Sequence, residues 1–373
     1  MYSTEPASIA SHNTTRTRAM MLFALLAGAL GLAVHQQTPA KAAQASAPTT
    51  ASTASLEGVP RLSHIFTIVL ENESFDSTWG PNSPAHYLNS LRSQGVLLTH
   101  YYAAGHLSND NYISMTSGQP PAPDTMADCS NWLACEQTDS SAAYHGGVSI
   151  ADQLENAGYS WKGYMDSMPA SCTHATATMT TDPYQGDSTS GPGYNYADRH
   201  NPFIYYGPIA NNASRCAAHD VPYTDFSNDM AHNAVPNYAY IVPDTCHDGH
   251  DVPTCANGQT GGLVAADAWL QANVPPILSY VQHHNGVLFI TFDEGADTDT
   301  SGCCGAGPGG TPGNGGRVGL LAISPHITPN TENATPYDHP SLLRTVEDGF
   351  GISQYLNNAG APTEHAMGAI FTR

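Results

Sequence analysis

Short apolar runs rich in β-branched residues alternate along this chain with amphipathic stretches, the layout of strands set between helices. Ile65–Leu70, Val96–Tyr102, Tyr159–Met165, Asn237–Val242, Val287–Phe292 and Arg317–Ser324 read as strands. Their continuous hydrophobicity, with no polar alternation, fits a sheet covered on both faces. His86–Gln94, a stretch through Met115 stopped by Gly118, Ser149–Gly158, Gly262–Val281 and Ser341–Gly351 read as helices. Pro275 and Pro276 are expected to break or kink the fourth of these. The pattern predicts an α/β fold, a central mostly parallel sheet flanked by helices on both faces, with loop-rich insertions. Between Pro169 and Asp229 the periodicity dissolves into Gly, Tyr, Asn and Pro, which predicts a surface excursion held by Cys172 and Cys216 that shapes the substrate entrance.

The first residues belong to no such pattern. A polar stretch ending in Arg16 and Arg18 precedes an apolar run, Ala19–Val34, and then Ala40-Lys41-Ala42 and Ala43-Gln44-Ala45. Basic flank, short apolar core and small-x-small sites predict a secretory signal peptide over 1–45, with an uncleaved anchor as the alternative. Residues 46–60 read as a Ser/Thr/Ala/Pro-rich linker and 61–373 as one catalytic domain, exported and without stable membrane insertion.

Charge narrows the partners. The chain carries a formal charge of −21 with only 11 Lys and Arg, which repels phosphate backbones and excludes nucleic acid as a main partner. A site for a small anionic substrate would then need a metal cation. Eight cysteines, all beyond the leader, predict disulfides in an exported chain. Sequence proximity suggests Cys129–Cys135, Cys246–Cys255, Cys172–Cys216 and a vicinal Cys303–Cys304, although connectivity does not follow from sequence.

Polar residues with chemical potential cluster where strands end, which is where open α/β sheets bind ligands. Glu71-Asn72 and Asp293-Glu294 each follow a strand directly. Ser108 lies in a strand-to-helix turn, where Asn109 or Asp110 can cap the helix and its positive end favours a bound phosphate; a plain N-cap role for Ser108 is the alternative. Oxygen ligands from the two acidic pairs, with a serine alkoxide, would make a hard-cation site. Asp244, His247, Asp248, His250 and Asp251 follow another strand, and His339 precedes the last helix. These histidines are expected to contact phosphoryl oxygens or protonate a leaving group.

Five motifs then occur in one order: ENESFDSTWG, GHLSNDNYISMTSG, TFDEG, GGRVGLLAISP and YDHPSLLRTVEDGFG. The set resembles the bacterial acid phosphatase and phospholipase C phosphoesterase family, whose fold is that of the alkaline phosphatase superfamily. The resemblance implies one divalent metal (Ca, Mg, Mn or Zn) on Glu71, Asn72, Ser108, Asp293 and Glu294. It makes Ser108 the nucleophile of a phosphoserine intermediate and Asn111 the residue that steadies the phosphoryl oxygens. His250 and His339 would act beside the phosphate, with His106, His247 and Asp244 at the substrate. The family's Leu-Pro after the serine is Asn109-Asp110 here, which adds a carboxylate near an anionic substrate. The implied activity is a secreted acid phosphatase on phosphomonoesters. The alternatives are a phospholipase C-type phosphodiesterase, disfavoured because the chain ends just after the last motif, and an inactive relative acting as a binding protein.

Overall fold

A computed structural model describes residues 56–129, 147–175, 179, 182–186, 195–255 and 258–372. The predicted signal peptide, most of the predicted linker and Cys135, with its expected bond to Cys129, lie outside the described residues. Those described fall in one compact unit, Ser52–Arg373.

Strand β1 (His64–Leu70) runs through the middle of the sheet, buried beyond its first residue. The other strands are β2 (Val96–Leu98), β3 (Tyr101–Tyr102), β4 (Trp161–Met165), β5 (Asp220–Pro222), β6 (Tyr238–Val242), β7 (Gly286–Phe292), β8 (Leu320–Ile323), β9 (Thr331–Asn333) and β10 (Tyr337–Asp338). Eight form the main sheet in the order β5-β4-β6-β1-β7-β8-β2-β9, and β10 pairs with β3. From β5 to β7 every pairing is parallel; β8 runs antiparallel to both β7 and β2. The expected mostly parallel α/β sheet is therefore present, with helices packed on its faces.

Local structure follows the sequence signals closely. Helix Ile150–Ala157 begins with a capping box between Ser149 and Asp152 and ends at Gly158. Helix His339–Phe350 starts where the Asp338 side chain accepts the Ser341 N–H and stops at Gly351. The expected break does not occur: Leu263–His283 is a single helix through Pro275 and Pro276. Both prolines lie on its exposed face, so water can satisfy the carbonyls they leave unpaired.

The predicted surface excursion is also corrected. Its described part contains strand β5 and helices Ala213–His219 and Thr224–Ala231. Phe203, Ile204, Tyr205 and Tyr206 are core residues, with Phe203 packed 4.7 Å from Trp161. Each such side chain contributes about 1.5–3 kcal/mol by leaving water, which holds this segment inward. Aromatic residues without periodicity gave the sequence no way to report this burial. The Cys172–Cys216 bridge forms as expected, as do Cys246–Cys255 and Cys303–Cys304. Among the described residues no helix is long and apolar enough to cross a membrane.

Candidate active site

Register brings the first two acidic groups together. β1 and β7 pair in parallel from His64↔Gly286 to Leu70↔Phe292, and the Asp293 N–H continues the ladder to the Leu70 carbonyl at 2.8 Å. The next residues, Glu71 and Asp293, thus leave adjacent strands side by side at the carboxyl edge. Asn72 turns the chain with φ of 40°, a conformation asparagine tolerates better than most residues. In that turn its N–H donates to Asp293 Oδ1 and its side-chain amide to Glu294 Oε1, both at 3.0 Å.

A third element supplies the serine. Helix Ser108–Ser117 follows β3, and Leu107 before it is extended. Ser108 is not a cap: its Oγ donates to Glu71 Oε2 at 2.9 Å. One turn on, Tyr112 donates from its hydroxyl to Glu71 Oε1 at 2.6 Å. Residues at i and i+4 share a helix face, so one carboxylate collects both hydroxyls. The sequence reading missed Tyr112, although this spacing from Ser108 was a usable signal. The expected anion site at the helix start is partly taken, because the Asn109 N–H donates to Asp128 Oδ1 at 3.1 Å.

Asn111 is fully engaged below the surface. Its Oδ1 accepts the N–H groups of Ala104 and Gly105, and its Nδ2 donates to Glu294 Oε2 and to the carbonyls of Gly105 and Leu107. It fastens the serine loop to Glu294, and no part of it faces the cleft, which corrects its expected contact with phosphoryl oxygens. His339 is corrected similarly. It is wholly buried, with Nε2 donating to the Asp293 carbonyl at 2.5 Å and Nδ1 accepting from the Tyr101 hydroxyl at 3.0 Å. Burial lowers its pKa to about 4, so it is a neutral support beneath Asp293.

The 244–251 turn divides. Asp244 accepts from the Ser167 hydroxyl at 2.5 Å and from His247 Nδ1 at 2.6 Å, and this pair sits away from the cleft lining, contrary to expectation. The second half docks on the site: the Glu71 N–H donates to the Asp248 carbonyl at 2.9 Å. Gly249 permits that approach, since a Cβ there would lie 3.2 Å from the Glu71 carbonyl oxygen. His250 and Asp251 then reach the cleft, with His250 Nδ1 3.5 Å from Asp251 Oδ1. The bond to Asp251 outweighs burial and raises the His250 pKa.

A cleft of about 1020 Å³ opens above these groups, lined by Asn72, His106, Ser108, Arg199, His250 and Glu294 among others. Arg199 and His200 come from the segment that had no pattern, so neither was predicted. Arg199 pairs with Asp251 at 2.7 Å, and His200 stacks on Tyr112 with its Nε2 3.5 Å from both Glu71 and Asp251.

The electrostatics are strongly unbalanced. Burial, then neighbouring negative charge, raises the pKa values of Glu71 and Asp293 well above the carboxylate range and that of Glu294 to about 10. Among the described residues no lysine or arginine pairs with any of the three, and Asp293 Oδ2 and Asn72 Oδ1 are buried without a hydrogen-bond partner. An oxygen-rich, negatively charged set with ligand atoms left free fits a divalent cation.

Comparison with known proteins agrees with this chemistry. Residues 81–353 match the model of the Phosphoesterase family. The chain is 27% identical over 289 residues to a probable acid phosphatase of Kluyveromyces lactis, covering 77% of this chain and 58% of that one. It is 22% identical over 310 residues to a phosphatidylinositol-3-phosphatase of Mycobacterium tuberculosis, covering 82% and 83%. Its fold is shared with a sulfatase from Pseudoalteromonas sp., at a TM-score of 0.51 and 13% identity over 84% of this chain and 72% of that one. The lipoteichoic acid synthase LtaP of Listeria monocytogenes likewise gives a TM-score of 0.51 at 12% identity, covering 82% and 76%. The fold is thus shared with these proteins, and the chain, which spans 58% of the length of the Kluyveromyces lactis relative, belongs to the Phosphoesterase family.

Proposed function

We propose that this chain is an acid phosphatase that hydrolyses small phosphomonoesters through a phosphoserine at Ser108. The observation that carries the reading is Ser108 Oγ at the cleft, hydrogen-bonded to Glu71 in a site whose carboxylates lack a counter-charge. A divalent cation would be held by Glu71, Asn72, Ser108, Asp293 and Glu294. Bound there, it would supply positive charge against the phosphoryl oxygens and favour the serine alkoxide.

The chain's own groups do the rest. Glu71 Oε2 already accepts the Ser108 proton and receives it as Oγ bonds to phosphorus. The phosphorus–oxygen bond to the alcohol breaks in line, and His250, whose raised pKa keeps it protonated in acid, gives its proton to the departing oxygen. Water then attacks the phosphoserine with the roles reversed. Tyr112 and His339 orient Glu71 and Asp293 and touch no substrate. Arg199 is the lone Lys or Arg among the described residues lining the cleft, and presents its guanidinium to the phosphoryl group while Asp251 fixes its position.

The test is release of p-nitrophenol from its phosphate monoester and from its phosphorylcholine diester, with and without chelator, from acid to neutral pH. Monoester turnover abolished by chelator is the expected result. Turnover of the diester alone would replace this reading with a phospholipase C-type one, and chelator-insensitive turnover would remove the metal.

Export through the 1–45 leader is part of the same reading, supported by the three disulfides, which persist in oxidising compartments. The intact mass of the secreted protein is expected to begin after Ala42 or Ala45; a full-length mass would mean an uncleaved anchor.

A further inference from the structure

A pair of buried carboxyl groups at the start of helix His339–Phe350 takes no part in the phosphoryl-transfer chemistry. Asp338 and Glu364 are 0% and 1% exposed, and among the described residues no lysine or arginine pairs with either. Between them stands Ser341, whose Oγ lies 3.1 Å from Asp338 Oδ1 and 2.8 Å from Glu364 Oε2. A hydroxyl has one hydrogen to donate, so it cannot satisfy two ionised carboxylates at once. One carboxyl group must therefore bring its own proton. Asp338 already accepts three backbone N–H groups, from Ser341 at 3.1 Å and from Gly305 and Ala306 at 3.2 Å. Such bonds favour the ionised form, so the proton belongs to Glu364. Its O–H donates to Ser341 Oγ, which donates in turn to Asp338. Burial raises both pKa values; hydrogen bonds, first from Glu364 and then from the backbone, pull Asp338 down, and its charge pushes Glu364 further up.

This relay holds a loop that reaches the serine. Gly305 and Ala306 belong to residues 295–316, which lie along the turn leading into Ser108. The Ala103 N–H donates to the Gly316 carbonyl at 3.0 Å, and the Asn314 N–H to the Ala104 carbonyl at 3.1 Å. A Cβ at Gly315 would stand 2.2 Å from the Gly105 carbonyl oxygen, so the two backbones touch. Glu364 packs on the same loop, with its Oε1 2.6 Å from where a Cβ at Gly305 would lie. Asp338 also caps the helix whose first residue, His339, supports the Asp293 carbonyl. The other titratable groups nearby do not offset the pair. Tyr101 on β3 is held neutral by burial and by both carboxylates, and Cys303 and Cys304 are bonded to each other. His365 is exposed, and Glu57, which accepts the Ala366 N–H, is already paired with Arg344.

We propose that Glu364 is a positioning residue whose proton latches the 295–316 loop onto the turn that carries Ser108. The inference rests on the proposed phosphoserine reading and extends it to a group that touches no substrate. In acid and at neutrality Glu364 is neutral, the relay is complete and the loop is held. When alkali removes the proton, Ser341 serves only one of the two carboxylates, and like charges face each other across one hydroxyl in a dry site. Parting the two segments relieves that repulsion. It also frees Gly305 and Ala306, and with them the backbone beside Ser108.

The test compares the metal-loaded full chain with its Glu364→Gln variant by hydrogen exchange, from about pH 5 to about pH 10. The variant amide donates to Ser341 Oγ as the carboxyl group does and has no proton to lose, so its latch stays closed. At low pH the two proteins should exchange alike. As pH rises, the ratio of wild-type to variant exchange in 303–306, 313–316 and 103–106 should climb by up to about tenfold per pH unit, the slope of a single proton. Peptides from β1 and β7 should keep a ratio of one. A ratio that stays flat overturns the latch, as does one that climbs equally over the whole chain. Turnover of p-nitrophenyl phosphate, whose phenolate leaves without a proton from His250, gives the second readout. Wild type should lose kcat in alkali where Glu364→Gln retains it, with KM unchanged in both. Identical kcat profiles beside a climbing exchange ratio would overturn the link from latch to serine. No p-nitrophenol from either protein would overturn the phosphatase reading instead, and the exchange ratio would still decide the latch.

Discussion

Replacing Ser108 with alanine is expected to lower kcat for a phosphomonoester by roughly 10⁴-fold or more, the scale seen when a covalent nucleophile is deleted. The hydroxyl is nearly buried at the head of its helix and aimed at Glu71 Oε2, so no neighbouring oxygen replaces it without moving the helix. Alanine at this first helical position keeps the fold, since Ser108 caps nothing. An acid-quenched wild-type reaction should yield a Ser108-containing peptide heavier by one phosphoryl group, and the variant should not. Retention of activity to within about tenfold, or a phosphoryl group trapped elsewhere, would sink the nucleophile assignment.

Asp293→Asn is expected to separate function from stability. Asparagine keeps an oxygen to accept the N–H groups of Asn72 and Glu294, but it puts an amide where Oδ2 was. Divalent-ion affinity and turnover should collapse. The chelated protein should become more stable, because the new amide can donate to the Glu71 carboxylate, and a bond to a charged group contributes about 1.5–3 kcal/mol. Thermal melting with chelator checks this; a variant no more stable than chelated wild type would mean that the carboxylates do not strain the site.

The same melts carry a pH signature. Glu294 has its pKa pushed up to about 10, first by burial and then by the charges of Glu71 and Asp110. Unfolded, a glutamate titrates near about 4.3. Between those values the folded chain holds a proton that the unfolded chain releases, so stability of the chelated protein falls as pH rises. Buried His200 and His339 act in the opposite sense only below their ordinary pKa of 6.5. From about pH 7 to about pH 9, chelated wild type should therefore lose melting temperature more steeply than the metal-loaded protein, in which the cation takes the proton's place. Equal slopes would count against a cation at Glu294.

The parts of the site that were legible in the sequence sit at strand ends. Glu71 and Asn72 after Leu70, and Asp293 and Glu294 after Phe292, follow from short apolar runs whose carboxyl ends must face one edge of a parallel sheet. Ser108 was legible from its turn before a helix stopped by Gly118. Arg199 and His200 were not, because they lie in an aperiodic segment whose placement depends on Phe203 and Tyr205 entering the core. His339 and Asn111 show the opposite limit: both were recognised as belonging to the site, yet both turn inward to hold a backbone carbonyl and a carboxylate in place.

Beyond the phosphoester chemistry implied by the resemblance of five ordered motifs, the sequence by itself determined the α/β class, the strand ends that carry the acidic pairs and the helix that carries the serine. Those features are local, set by periodicity, capping and residue type over a few neighbours. Only the tertiary structure decided which side chains meet. The register of β1 against β7 set Glu71 beside Asp293, the pitch of one helix put Ser108 and Tyr112 on the same carboxylate, and the turn at Gly249 sent His250 into the cleft while leaving His247 outside it. Whether a polar group faces substrate or supports one that does depends on which partners long-range packing brings to it, and spacing along the chain does not encode that.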